Sequence, residues 1–260
     1  MSPWELAVVA LAGVGAGFIN TVAGSGTLIT FPTLLAFGVP PVTANVSNNI
    51  GLVPGSVSGA LGMRPELAGQ QRRVRRLASG SVVGGLVGAV LLLALPSEVF
   101  DAVVPALVAL GILLVATQPL LNARLAARRE ARHGPAAASS PRPDAWWLWP
   151  GTALVGVYGG YFGAAQGIIL MGVLGAGLDD SLHRQNALKN VLASVVNAVA
   201  AVVFILVADV DWWIAGVIAV GSVLGALAGA RVGRRLPAAV LRGVIVVVGL
   251  TALVVFLTRS

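Results

Sequence analysis

The sequence predicts an all-α fold: a polytopic transmembrane helical bundle of two inverted-topology repeats. Each repeat holds about four to five segments, with short broken helices at the centre. Three observations predict it. The chain of 260 residues is 57% hydrophobic and only 10% charged, and its mean hydropathy of +0.90 is far from the balance of a soluble domain. Apolar runs of about 20 residues, the length that crosses ~30 Å of hydrocarbon, recur along it. Finally, the chain matches itself at one constant shift of 141 positions, read directly from the pairs Gly15/Gly156, Gly26/Gly167, Asn45/Asn186 and Asn49/Asn190. The same shift pairs Gly80-Ser81 with Gly221-Ser222, Gly84 with Gly225, Gly88 with Gly229 and Leu95-Pro96 with Leu236-Pro237.

The elements follow in order. The first apolar run, near 4–22, comes after Met1-Ser2-Pro3-Trp4-Glu5. That start has no basic n-region, so the run reads as a retained membrane helix and not as a cleaved signal. The second, near 27–39, carries Pro32 and ends in Gly38-Val39-Pro40-Pro41. At about 18–20 Å it is too short to span comfortably and is expected to be a broken or tilted helix. It is joined to the first by Ala23-Gly24-Ser25-Gly26. Runs near 43–62, 77–95 and 99–121 complete the first membrane repeat, residues 1–121. Residues 122–145, rich in Arg, Ala, Pro and Ser, read as a mobile cytoplasmic linker. The second membrane repeat, residues 146–260, follows the same plan near 147–163, 166–178, 186–208, 212–230 and 238–257.

Loop charge sets the orientation. Arg64, Arg72, Arg73, Arg75 and Arg76 follow the third segment, and Arg124, Arg128, Arg129, Arg132 and Arg142 lie in the linker. Both groups are expected on the cytoplasmic side. The turn with Glu98 and Asp101 has no basic residue and is expected outside. In the second half the bias reverses: Asp209 and Asp211 replace the first Arg cluster, and Arg231, Arg234, Arg235 and Arg242 follow the fourth segment. A parallel repeat would put those arginines outside. Inversion puts every Arg cluster inside, with only Arg259 left over.

Polar residues within the apolar runs fall at matching places in the two halves. Because unpaired polar groups are costly in hydrocarbon, such residues line helix interfaces or cavities. The set is Ser25, Thr27, Asn45 and Asn49 in one half and Gln166, Asn186, Lys189 and Asn190 in the other. Asn45 and Asn49 share one helix face, as do Asn186 and Asn190. These residues are the candidate substrate-binding set, and Gly24, Gly26 and Gly167 are the candidate helix breaks. The plainer alternative is polar glue between helices, roughly 0.6 kcal/mol each. The stripes Gly80/Gly84/Gly88 and Gly221/Gly225/Gly229 are assigned to close packing.

The sign of charge narrows the ligand. All ten acidic residues fall in expected ends or loops, whereas a cation site or carboxylate proton relay would usually need one near mid-membrane. The single lysine, Lys189, lies between Asn186 and Asn190 and opposite Asn48 in the repeat. Two roles are open to it: snorkelling to the interface beside His183 and Arg184, or facing an anion. Helix N-termini after the two breaks would add free N–H donors and positive dipole ends. The pattern favours a small inorganic or organosulfur anion as partner, together with the lipid bilayer. The net charge of +7 reads as topology and not as nucleic-acid binding. Oligomeric state is left open, a homo-oligomer being compatible with the pattern.

No catalytic residues, metal site or cofactor are expected. There are no cysteines, which removes thiolate chemistry. His133 and His183 form no metal spacing. Gly13-x-Gly15-x-Gly17 lies in a membrane helix with no strand before it, so it is not a dinucleotide site. Trp146, Trp147, Trp149, Trp212 and Trp213 stand at segment starts, as interfacial belts do.

The run from Gly17 to Pro32, with Leu34-Leu35, Gly38-Val39-Pro40 and Ala44-Asn45-Val46-Ser47-Asn48-Asn49, resembles the TauE/SafE-type sulfite exporters. In the second half the resemblance continues through Gly156 to Gly167 and Asn186-Ala187-Leu188-Lys189-Asn190. It implies a bacterial inner-membrane, multi-pass secondary transporter of small sulfur anions such as sulfite, sulfoacetate or thiosulfate, and not an enzyme. Ala165-Gln166-Gly167 departs from the fuller glycine break of the first half, which leaves substrate choice open. Two other classes compete: an intramembrane enzyme acting on a lipid phosphate, and a non-transporting structural membrane partner. The enzyme would need a buried acid or metal-ligand set; the structural partner would have a dry repeat interface where a transporter has a polar cavity.

Overall fold

The structure is a computed structural model that describes residues 1–132, 143–232, 243 and 245–251. Among these residues it is all-helical. The helices are α1 (Pro3–Val22), α2 (Thr27–Ala36), α3 (Pro41–Gly62), α4 (Gln71–Ala94), α5 (Ser97–Arg132), α6 (Leu148–Tyr161), α7 (Gln166–Gly177), α8 (Leu182–Val207) and α9 (Trp212–Val232), with a 3₁₀ turn at Arg64–Leu67. Residues 245–251 are also helical. The last expected segment, near 238–257, otherwise lies outside the described residues, as do His133, Arg142, Arg234, Arg235 and Arg242. Helix α5 continues to Arg132, into the stretch read from sequence as linker.

Among the described residues, five helices are long and apolar enough to cross a membrane: α1, α4, the Ser97–Leu121 part of α5, α8 and the Trp212–Arg231 part of α9. Helix α3 has 22 residues, but its Asn and Ser content keeps it out of that set. Helices α2 and α7, with 10 and 12 residues, reach only about 15 and 18 Å and do not span.

Local chemistry explains the breaks. Helix α1 opens with Pro3 in its first turn and with the Ser2 N–H donating to the Glu5 carboxylate at 2.6 Å. It closes where the N–H groups of Ala23 and Gly24 both reach Ile19 O, with Gly24 at φ +84°, the left-handed conformation that glycine adopts without strain. Helix α2 ends in a Schellman motif, Gly38 N–H to Leu35 O and Val39 N–H to Leu34 O. In the second half the positive φ values fall on Gly163 (+78°) and Ala165 (+58°). Gly167, expected from sequence at this break, instead lies in the first turn of α7. Ala165 holds a left-handed conformation that costs an L-residue about 1–2 kcal/mol, and complete burial holds it there.

Two faces can be told apart by their contacts. On one, Trp4 packs edge-on against Phe37 with ring centroids 5.3 Å apart, so α1 and α2 form a hairpin that leaves and returns to that face. On the other, Ala145 N–H donates to Gly177 O at 3.2 Å, so α6 and α7 form a second hairpin returning there. The hairpin tips meet inside the bundle, where Gly167 N–H donates to Gly24 O at 3.0 Å. Helices α3 and α8 run antiparallel. Met63, just past the end of α3, touches Asn186 and Asn190 early in α8, and Asp211 beyond α8 donates its N–H to Ser47 near the start of α3.

Helix α1 packs on α9, and its counterpart α6 packs on α4. Both seams are backbone to backbone. A Cβ at Gly225 would lie 1.9 Å from Val14 O, one at Gly17 2.1 Å from Ser222 O, one at Gly84 2.0 Å from Ala153 O and one at Gly160 2.3 Å from Gly85 O. The glycine stripes assigned to packing do pack.

The arginine-rich face carries an ion-pair network that ties the start of α4 to the turns before α6 and α8. Arg73 binds Asp144 through two hydrogen bonds, at 2.7 and 2.9 Å, and Asp180 at 2.8 Å; Asp180 also accepts from Arg184 at 2.8 Å. Partial burial works to raise the Asp180 carboxyl, but the Ser181 N–H, Arg73 and Arg184 outweigh it and hold it below the usual carboxylate range. A depressed folded value means that the contribution is present above the unfolded value, about 3.9, and is lost as pH falls through the folded one. Asp180→Asn is therefore expected to remove part of the acid destabilisation seen in melting curves from about pH 5 downward. An unchanged acid slope would refute this role.

Candidate functional site

Helix α1 ends inside the protein, so its last carbonyls need donors that a helix cannot supply itself. Helix α8 supplies them. Lys189 Nζ donates to Asn20 O at 3.2 Å, Asn190 Nδ2 to Thr21 O at 3.2 Å and Asn186 Nδ2 to Thr21 O at 3.5 Å. The lysine thus sits at the negative end of the α1 dipole. The other half mirrors this: Asn45 Nδ2 of α3 donates to Tyr161 O at the end of α6, at 2.9 Å. Asn45 and Asn186 are repeat equivalents, and so are Asn20 and Tyr161 (161 − 20 = 141). Each half's third helix therefore caps the broken helix of the other half. Asn48, the counterpart of Lys189, is buried and accepts from Thr30 Oγ1.

Between α3 and α8, Asn197 Nδ2 donates to Ser56 Oγ at 3.2 Å, and the two residues are 141 apart. Equivalent positions that touch each other lie on the axis relating the two halves. Ser56 also accepts from Asn20 Nδ2 at 3.3 Å.

Two cavities adjoin this cluster. The inner one, about 10 Å³, is lined by Asn20, Thr21, Gly24, Ser56, Lys189, Asn190 and Ala193; a cavity of that size holds about one water. The outer one, about 250 Å³, is a vestibule whose walls include Thr21, Met63, Glu66, Gln118, His183 and Asn186. Thr21 borders both. The vestibule is smaller than a drug-sized pocket and suits a small ion. Away from it the interior is closed by aromatic rings: Phe31 lies 5.0 Å from Phe162, and Phe100 lies 5.6 Å from Tyr161 and 6.1 Å from Phe162.

Of the residues singled out from sequence, Asn186, Lys189 and Asn190 are brought together at these cavities, with Gly24 beside them. Lys189 is only 1% exposed and points inward to Asn20, so it does not snorkel to the surface. Asn45 caps α6. Thr27 opens α2, buried. Ser25 Oγ, Asn49 Oδ1 and Gln166 Nε2 are buried with no hydrogen-bond partner among the described residues, three polar atoms with unspent bonding capacity in the interior. None of Ser25, Thr27, Asn45, Asn49 and Gln166 lines either cavity in this conformation. Gly26 packs against Ala16 O, and Gly167 against Gly24.

Four residues at the site were not in the sequence-based set: Asn20, Thr21, Ser56 and Met63. For Asn20 and Thr21 the available signal was their place just before the break. For Ser56 it was the polar match to Asn197. Met63 carried no signal.

The sequence profile named "Sulfite exporter TauE/SafE" matches residues 9–256. The protein named "Probable membrane transporter protein YfcA" of Escherichia coli K12 is 30% identical over 89% of this chain and 81% of its own length. A "Probable membrane transporter protein" of Haemophilus influenzae is 26% identical over 87% of this chain and 84% of its own. One named "Probable membrane transporter protein ORF9" of Sinorhizobium is 26% identical over 94% and 89%, respectively. No solved structure matches significantly. With the family profile covering nearly its whole length, five described helices long and apolar enough to cross a membrane and a buried polar centre between two repeats, the chain belongs to the TauE/SafE sulfite exporter family of membrane transporters.

Proposed function

We propose that the protein exports small sulfur-containing anions, with sulfite, sulfoacetate and thiosulfate as candidates, across the bacterial inner membrane by alternating access of two inverted halves. The observation that carries this reading is the buried lysine Lys189, set among amides at the inner end of a vestibule whose inner chamber has no carboxylate in its lining. An ammonium and amide donors in a water-poor site favour an anion through charge-assisted hydrogen bonds. Asn186, Lys189 and Asn190 bind it first. Ser25, Thr27, Asn45, Asn49 and Gln166 join as the halves rearrange, and Gly24, Gly26 and Gly167 let the hairpin tips slide.

The antiparallel course of α3 and α8 and the Ser56–Asn197 contact between equivalent positions support inversion. Arg64, Arg73, Arg184 and Arg231 would share the cytoplasmic side, so the vestibule opens inward and the rings of Phe31, Phe100, Tyr161 and Phe162 close the outer route. Proteoliposomes loaded with labelled thiosulfate, sulfite or sulfoacetate are expected to show saturable efflux of at least one of them, reduced at least tenfold by Asn190→Leu. Liposomes with wild-type protein that release all three no faster than empty ones would end the proposal.

A further inference from the structure

We propose that Lys189 is the proton carrier of the transport cycle, taking up one proton when the anion enters and giving it up when the anion leaves. The inference rests on the transporter reading above and adds the coupling ion to it. The Lys189 side chain is 1% exposed, and its hydrogen-bond partner is a neutral carbonyl, Asn20 O.

Among the described residues, the surrounding elements offer no counter-ion. Helix α3 contains no Asp, Glu, His, Lys or Arg, and neither does α7. The acidic residue of α1, Glu5, lies at the far end of that helix. Helix α6 contributes only Tyr158 and Tyr161 as titratable groups. The charges of α4 are Arg72, Arg73, Arg75 and Arg76 in its first turns, and Arg73 is engaged with Asp144 and Asp180. The 3₁₀ turn brings Arg64 and Glu66, and α8 itself brings His183 and Arg184 near its start. Glu66 and His183 face the vestibule, and none of these groups lines the Lys189 chamber.

An ammonium held there with only a helix-end carbonyl for a partner carries a large desolvation penalty. Two events relieve it: arrival of an anion or loss of the proton. The Asn20 contact does not choose between them, because a neutral amine still donates one hydrogen bond to that carbonyl. The end of α1 therefore stays capped in both charge states, and only the proton count follows occupancy. With the anion present the side chain is –NH3⁺; with the site empty it is –NH2. On entry the proton comes from vestibule water, past Thr21, which borders both cavities. On release it returns to water on the opposite side, and no bond of the anion breaks.

The test uses the full chain in proteoliposomes containing a pH-sensitive dye, with the membrane potential clamped at zero and ³⁵S-thiosulfate, which stays unprotonated near neutral pH, as the probe. One proton is expected to accompany each thiosulfate, and a gradient of one pH unit is expected to accumulate it about tenfold. Lys189→Arg, with a charge that cannot be shed, is expected to lose the response to the gradient, and whatever thiosulfate exchange it retains is expected to carry no protons. Lys189→Gln retains a donor for Asn20 O and decides the matter if the arginine does not fold: any flux left in it is expected to carry no protons. Wild-type thiosulfate flux without protons overturns the coupling and leaves the transporter reading standing. Gradient-driven uptake by Lys189→Arg, or proton-coupled flux in Lys189→Gln, likewise overturns the assignment to Lys189. If wild type moves none of thiosulfate, sulfite and sulfoacetate, the transporter reading falls and the coupling with it.

Discussion

Gly225→Leu and Gly84→Leu are each expected to leave little correctly folded protein, whereas Gly216→Leu is expected to fold like wild type. At Gly225 even a Cβ would come within 1.9 Å of Val14 O, and at Gly84 within 2.0 Å of Ala153 O. The opposing atoms are helix backbone, so no side chain can turn aside and the two helices must separate. Overpacking of a core costs about 1–3 kcal/mol where side chains can adjust; a backbone seam gives less, so the upper end of that range is the least expected. Gly216 lies on the same helix as Gly225 but has nothing within 4 Å of its added Cβ. It controls for the general effect of replacing a helical glycine, which by propensity alone is favourable by about 1 kcal/mol. Size-exclusion profiles and melting temperatures in detergent report the outcome. Wild-type melting by Gly225→Leu would show that the α1–α9 seam is not what holds the halves together.

Lys189→Met is expected to abolish anion transport, by a hundredfold or more, while melting at or above the wild-type temperature. The two halves of this prediction have different causes. Transport fails because the chamber loses the lysine that lines it, and charge-assisted hydrogen bonds are about twice as strong as neutral ones. Stability is kept because exchanging a buried polar head without a counter-ion for an apolar chain of similar length relieves desolvation. Against that gain stands one lost hydrogen bond to Asn20 O, about 1 kcal/mol, with Asn186 and Asn190 still holding Thr21 O. If Lys189→Met unfolds, the lysine is chiefly a helix cap. Substantial flux in a folded Lys189→Met protein removes Lys189 from the site.

Much of the fold was legible before any coordinates. Nine apolar runs became α1 to α9, most ends shifting by a few residues and that of α5 moving from 121 to Arg132, because membrane helices announce themselves by length and apolarity. The run near 27–39 was legible as too short to span comfortably for the same reason, whereas the sequence left open whether it and the run near 166–178 fully span. The second break was harder to place. Glycine content pointed to Gly167, but the chain turns at Gly163 and Ala165, and a buried alanine in a left-handed conformation leaves no mark in composition.

The candidate site was legible as a set of matched polar residues but not as an arrangement. Sequence gathered Asn186, Lys189 and Asn190 on neighbouring turns of one helix, which is a consequence of 3.6-residue periodicity. That their partners are the last carbonyls of α1, some 165 to 169 positions away, has no local signature, since a carbonyl is present at every residue.

The sequence by itself determined that the chain is a helical membrane protein of two related halves, that glycine stripes serve packing, and that the single lysine falls in an apolar run while the acidic residues fall at segment ends or in loops. These follow from composition and periodicity, which act locally. Only the tertiary structure decided that each half caps the broken helix of the other, that Ser56 meets Asn197 on the axis between them, and that Lys189 turns inward instead of to the surface. Those outcomes depend on which backbone ends lack hydrogen-bond partners once the helices have packed, and that requirement does not exist until they do.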